Sequence, residues 1–152
     1  MRRFFVSFVV VLVVGVFAIA VLRNVPNPTY RADPRDPQLV AQGQLVYNQY
    51  CASCHGGNLE GQPNWKQTLP EGGRPAPPHD ATGHTWHHSD ELLFDIVKRG
   101  PEAMASTGSV YRMPAFGHAL SDEEIWAVLA YIKITWPPDI LAAQEQISRQ
   151  SR

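Results

Sequence analysis

The residues with the clearest chemical meaning stand at positions 51–55, where the sequence reads Cys-Ala-Ser-Cys-His. Cys51 and Cys54 are three apart on a predicted helical turn, they are the only cysteines in the chain, and His55 follows directly. This spacing is typical of covalent c-type haem attachment, in which each thiol adds across one porphyrin vinyl group and the histidine ligates the iron. We therefore predict one covalent haem c on Cys51 and Cys54, with His55 as an axial ligand.

The same five residues allow two other interpretations. A Cys-x-x-Cys pair can be a thiol–disulfide redox centre, but no convincing strand precedes Cys51 to give the strand–helix setting of that centre. The pair can also be half of a zinc site, whose remaining ligands would come from histidines further along the chain. The candidates are His79, His84, His87 and His88. Because the gap from Cys54 to His79 is well beyond the usual finger spacing, haem is favoured and a zinc-binding module is the lesser alternative.

A haem iron with one histidine needs a second axial ligand or an open face. Met113 is followed by Pro114, Ala115 and Phe116 in the loop before the last strongly periodic helix. Methionine opposite histidine raises the reduction potential, as suits an electron carrier, and the proline stiffens the loop that would present it. The competing ligands are Met104, His79, His84, His87, His88 and His118. We predict Met113 as the second ligand.

The elements that would position these residues are helices. Apolar residues recur at spacings of three and four from Gln38 to Tyr50, from Ser89 to Gly100 and after Ser121, where Ser and Glu form a capping box. Gly43 costs helix stability, so we expect a packing reason, namely close approach of another helix. The long Gly- and Pro-rich loop at 56–83 becomes reasonable if it packs on a porphyrin. Residues 137–152 read as a short helix or a frayed tail.

The N-terminus carries an apolar segment of 19 uncharged residues, 4–22, after Met1-Arg2-Arg3. Its length favours a transmembrane anchor, while the small residues 18–20 also fit a cleaved signal peptide. Either leaves the arginines in the cytoplasm and exports the rest of the chain. A Pro-rich linker follows at 24–37.

The charge of the whole chain is nearly balanced, with 13 basic and 14 acidic residues and no basic run, which argues against nucleic-acid binding.

Residues 51–55, 111–116 and 126–132 together resemble a class I c-type cytochrome, over about residues 38–136. The resemblance implies an all-α fold: a small helical domain around one covalent haem, preceded here by an N-terminal apolar helix at 1–23. It also implies that the first and last helices cross, with Gly43 and Tyr47 facing Tyr131. A proline carbonyl after the haem motif would accept the N–H of the ligating histidine. The candidates are Pro75, Pro77 and Pro78.

One segment departs from the simplest members of that family: residues 79–88 hold four histidines and Trp86. One interpretation is a solvated loop whose tryptophan lies against the haem edge, with its indole N–H available to a propionate. The other is a metal-contact or copper-protein docking patch, because neutral imidazole suits copper and zinc.

The leading functional expectation is a membrane-tethered one-electron carrier, not an enzyme, on the periplasmic side of the cytoplasmic membrane. Its expected partners are a quinol-oxidising complex or dehydrogenase upstream and a terminal oxidase or copper protein downstream. If the signal is cleaved, the protein is instead soluble in the periplasm. The rival class is a peroxidase-like haem enzyme, which needs a labile sixth ligand and a distal polar group such as His118.

Overall fold

A computed structural model describes residues 31–104 and 110–151, so the predicted anchor and the first half of the linker, 24–30, lie outside the described residues. Within these two ranges the chain is helical and has no strand, which confirms the predicted all-α class. None of the helices there is both long and apolar enough to cross a bilayer. The helices are α1 (Pro37–Tyr50), α2 (Ala52–His55), α3 (Asp90–Arg99), α4 (Asp122–Lys133) and α5 (Pro138–Gln150), with 3-10 turns at Thr85–His87 and Pro101–Met104.

Short side chains fix where the three longer predicted helices begin. The Asp36 carboxylate accepts the backbone N–H groups of Gln38 and Leu39 ahead of α1, with Pro37 at the first helical position. Ser89 caps α3 in the same way. The predicted capping box of α4 is present, since Ser121 and Glu124 each accept a hydrogen bond from the other's backbone N–H. These caps satisfy N–H groups that a helix start otherwise leaves without a partner.

Helices α1 and α4 pack at very close range, and Gly43 makes this possible. A β-carbon at Gly43 would overlap the Ala127 carbonyl group and lie 2.9 Å from the Tyr131 Cβ. Beside it the rings of Tyr47 and Tyr131 are 5.3 Å apart and tilted by 49°. The expected helix contact is therefore confirmed, and with it the reason for a glycine inside a helix.

Gly43→Ala is expected to lower the free energy of unfolding by about 1–3 kcal/mol, because the added methyl group must push rigid backbone apart in a close-packed core. Chemical denaturation followed by circular dichroism measures the change. Gly57→Ala is the matched control, since a β-carbon there meets no atom within 4 Å, and it should stay within about 0.5 kcal/mol of the wild type. Equal stabilities of the two variants would contradict this account of the helix contact.

The C-terminal residues form a packed helix and not a frayed tail. In α5, Gln144 and Ser148 are fully buried, and Gln144 Nε2 donates to Asp90 Oδ1 at 2.7 Å. Ser148 Oγ accepts the Asp90 backbone N–H at 3.0 Å. Lys133 Nζ, at the end of α4, lies 2.6 Å from Asp90 Oδ1. A buried polar cluster thus joins α3, α4 and α5, where charged groups need partners because water is excluded.

The segment that leads into α1 also lies on the domain. Ala32 is fully buried in the apolar core, and Arg35 Nη2 lies 3.0 Å from Glu145 Oε1 of α5. Residues 31–36, which the sequence assigns to the linker, therefore make turns that pack against the helical domain.

Candidate haem site

Cys51 caps the end of α1, and the single helical turn that follows, α2, carries Cys54 and His55. The backbone N–H groups of Cys54 and His55 both donate to the Cys51 carbonyl oxygen, at 3.1 and 2.9 Å. Both thiols are free; Cys51 is half-buried and Cys54 exposed. Burial raises the pKa of the Cys51 thiol to about 11, so it is a protonated thiol at neutral pH. The turn therefore presents two thiols and a histidine in the order that the sequence predicts.

The imidazole of His55 is buried and held by one backbone carbonyl. Its Nδ1 lies 2.8 Å from the Pro77 oxygen, and because a carbonyl oxygen can only accept, Nδ1 carries the proton. Among the three proline candidates the structure thus selects Pro77. Burial lowers the pKa of His55, while the Pro77 contact opposes that change. The ring is neutral at pH 7, and Nε2 is the nitrogen that remains for a metal.

The loop after α2 folds so that Pro77 reaches His55. Leu59 is buried and adopts a positive φ of 68°, and its carbonyl accepts the His79 backbone N–H at 2.8 Å. A second link joins the Gln62 N–H to the Ala76 oxygen at 2.9 Å. Gly61 permits this approach, because a β-carbon there would lie 2.7 Å from the Pro77 carbonyl carbon. Backbone contacts on both sides of Pro77 therefore fix the acceptor of the His55 proton.

Met113 is half-buried in a segment held at both ends. On one side Arg112 Nη2 donates to Glu71 Oε1 at 2.6 Å. On the other side the Phe116 N–H donates to the Val97 oxygen at 2.9 Å. These links attach the Met113 segment to the loop after α2 and to the end of α3.

The Met113 segment also contacts Tyr50, the residue that precedes the Cys-x-x-Cys-His motif. The Phe116 ring packs edge-on against Tyr50, with centroids 6.2 Å apart, and Tyr50 directly precedes Cys51. Three residues past Met113, the chain therefore lies beside the start of the cysteine pair. His118, the distal candidate of the rival hypothesis, is exposed.

The histidines of residues 79–88 divide into two groups. His79 turns inward and stacks on His55, with ring centroids 4.0 Å apart. The other three are in ring contacts with one another or with tryptophans: Trp65–His84, His84–His88 and Trp86–His87. No group of three or more His, Cys, Asp or Glu side chains is arranged to hold a metal ion within the ranges described above. The four histidines lie close together in the sequence, but of the four only His79 stacks on the ring of His55.

The chemistry of these side chains fits a covalently bound haem. Two thiols lie next to a neutral imidazole whose Nε2 is left for iron. In addition, the Trp86 indole Nε1 is buried without a hydrogen-bond partner among the described residues. A buried N–H normally has an acceptor, and a porphyrin carboxylate is one. Cys51, Cys54 and His55 would hold the group, with Trp86 as a donor to it.

A helical domain with a Cys-x-x-Cys-His turn whose histidine is held by a proline carbonyl defines a class I c-type cytochrome. A protein-family model described as cytochrome C oxidase, cbb3-type, subunit III matches residues 38–132. This match covers more than half of the chain, and the chain belongs to that family. A comparison with curated proteins returned no match. Membership implies haem c, electron transfer and redox partner proteins.

Proposed function

We propose that this chain is a one-electron carrier whose covalent haem, on Cys51 and Cys54, is ligated by His55 and Met113. The observation that carries the proposal is the hydrogen bond from His55 Nδ1 to the Pro77 oxygen. It fixes the tautomer, so that Nε2 is the nitrogen that binds iron, and it strengthens the imidazole as a ligand. The haem, when bound, supplies a one-electron iron couple.

Hydrogen bonds hold Tyr47 and the segment around Met113 in place. Tyr47 is fully buried, and its hydroxyl donates to the Gly56 oxygen at 2.8 Å, next to His55. Burial raises the pKa of this phenol, so it stays protonated and keeps the proton that it donates to Gly56. The two anchored ends of the Met113 segment support a ligand held in one place, as low reorganisation on electron transfer requires. An electron carrier rather than an enzyme is the function that this arrangement supports.

Methionine ligation separates the carrier from the rival haem enzyme, and an optical spectrum tests it. The expected result is a low-spin haem in both oxidation states, with the weak far-red ferric band of methionine–iron bonding. A pyridine haemochrome assay should show two thioether links. A high-spin ferric spectrum that changes on adding cyanide or peroxide would instead favour a peroxidase-like enzyme with an open iron face.

Cys54→Ala is expected to remove one thioether link and to reduce the yield of covalent haem, because only Cys51 remains to add to a vinyl group. The pyridine haemochrome spectrum of the purified variant measures both effects. Ser53→Ala is the matched control: this side chain is exposed between the two cysteines and should leave both links intact. A normal two-thioether haem in Cys54→Ala would refute the assigned attachment site.

We further propose that residues 4–22 anchor the protein in the cytoplasmic membrane with the haem domain on the periplasmic side. The support is the uncharged 19-residue length behind two arginines. The proposed partners are a quinol-oxidising complex or dehydrogenase upstream and a copper protein or terminal oxidase downstream. The family description, which names an oxidase subunit, favours the oxidase. Recovery of the haem protein in alkali-washed membranes tests the anchor, whereas recovery in the periplasmic fraction indicates a cleaved signal.

A further inference from the structure

Among the histidines of the described residues, His79 is the one whose ring contacts that of His55. The two imidazoles are stacked with centroids 4.0 Å apart and an interplanar angle of 23°. Burial lowers the pKa of both rings, and for His79 the neighbouring His55 adds to that change. In the proposed function, the Nδ1 atom at the edge of the His55 ring is fixed by Pro77. The face of the same ring is covered by His79.

His79 is itself held from three directions. Its backbone N–H donates to the Leu59 oxygen at 2.8 Å. Its carbonyl oxygen accepts the indole N–H of Trp136 at 2.8 Å. Its ring Nδ1 is hydrogen-bonded to the hydroxyl of buried Thr85 at 2.8 Å. Leu59 and Trp136 thus hold the backbone of His79, and Thr85 holds its ring.

We propose that His79, oriented by Thr85, is a positioning residue that sets the plane of the His55 imidazole. The hydrogen bond to Pro77 fixes one atom of that ring but leaves the ring able to tilt about the bond. A flat, immobile ring stacked on one face removes this freedom. A ligand orientation set by both an edge contact and a face contact is preorganised before iron binds. The proposal rests on the proposed role of His55 as the iron ligand.

The test uses the haem-loaded ferric protein and a readout of ligand orientation. Unpaired spin spreads from the iron over the porphyrin according to the plane of the axial imidazole, so the paramagnetically shifted haem-methyl proton resonances report that plane. We expect His79→Ala to change the order or the spread of these resonances. Thr85→Val should produce a smaller change in the same direction, because it removes the hydroxyl and leaves the side-chain volume almost unchanged.

Three further variants complete the test, and the first two of them are controls. Thr85→Ser keeps a hydroxyl and should restore the wild-type pattern. Thr135→Val removes the hydroxyl of an exposed threonine in the turn after α4, where it donates to the Ile132 oxygen, and should leave the pattern unchanged. His79→Phe retains a flat ring without the Thr85 bond, so its pattern should lie between those of the wild type and His79→Ala.

Wild-type haem-methyl shifts in both His79→Ala and Thr85→Val would overturn the proposal. If His79→Ala fails to incorporate haem, Thr85→Val decides, and an unchanged pattern in it overturns the proposal. A change in His79→Ala alone supports the positioning role of His79 and rejects that of Thr85. Failure of the proposed function looks different: the wild type would then lack covalent haem, or His55→Ala would keep the wild-type resonances.

Discussion

Met113→Ala is expected to keep the covalent haem but to lower its reduction potential by on the order of 0.1 V or more, within the range of about 0.8 V that axial ligands span. A thioether opposite histidine favours ferrous iron, and water or no ligand in its place does not. The far-red ferric band should also disappear, and the iron should become able to bind cyanide. Redox titration followed by optical spectroscopy measures the potential, and ferric spectra with and without cyanide measure the other two changes.

Met104→Ala is the control for this experiment, because Met104 is the competing methionine and lies in a separate 3-10 turn, Pro101–Met104. It should keep the wild-type potential and spectrum. The reverse outcome, with Met113→Ala unchanged and Met104→Ala altered, would transfer the ligand role to Met104. An unchanged potential in both variants would remove methionine from the site and favour a histidine.

Lys133→Met is expected to lower the free energy of unfolding by about 3–5 kcal/mol, because it leaves the buried Asp90 carboxylate without its cation. Only 1% of the Lys133 side chain and 2% of the Asp90 side chain are exposed. Burial lowers the pKa of the lysine, and Asp90 opposes that change by stabilising the charged form of Lys133. Denaturant unfolding of the haem protein, followed by circular dichroism, measures the loss.

Two comparisons show whether burial is the cause. Lys98→Met removes an ion pair with Asp122 of similar N–O length, 2.7 Å, whose side chains are 37% and 55% exposed; it should cost at most about 1 kcal/mol. The double variant Lys133→Met/Asp90→Asn removes both buried charges and should be more stable than Lys133→Met alone. Equal losses in Lys133→Met and Lys98→Met would show that the buried cluster does not carry the expected stability.

The parts of the molecule that the sequence predicts are those coded by neighbouring residues. The Cys-x-x-Cys-His turn, the Ser121 capping box and the helix over 38–50 each depend on contacts within a few positions of the chain. The contact of Gly43 with α4 is distant in sequence, yet it was predictable because a glycine inside a helix calls for a partner helix. Resemblance to a class I cytochrome supplied Tyr131 as that partner.

The parts that the sequence does not predict depend on where loops place distant residues. Pro75, Pro77 and Pro78 are chemically equivalent acceptors, and only the fold of the loop around Leu59 selects Pro77. From the sequence, the histidine-rich segment 79–88 was interpreted as a whole, without separating His79 from the other histidines. Its position two residues after Pro77, a candidate acceptor for the His55 proton, could have indicated that it lies near His55. An acidic residue at the start of α3 and a basic residue at the end of α4 are both favourable when exposed. The sequence therefore does not indicate that Asp90 and Lys133 are buried. In the structure α5 contacts Asp90 through Gln144 and Ser148, and Lys133 and Asp90 are both buried.

The same packing of α5 has a consequence for the order in which the chain folds. Asp90 meets Gln144 and Ser148 across 54 and 58 residues of sequence, whereas the cysteine turn closes through bonds to the adjacent helix. Long-range contacts must overcome a larger loss of chain entropy, and a carboxylate should lose its bound water only once its partners are in place.

We therefore expect α5 to dock last. Pulsed hydrogen exchange during refolding would show this as late protection of α5, and early protection would contradict it. The cysteine turn would then already be formed, and open to haem attachment, while the C-terminal helix is still undocked.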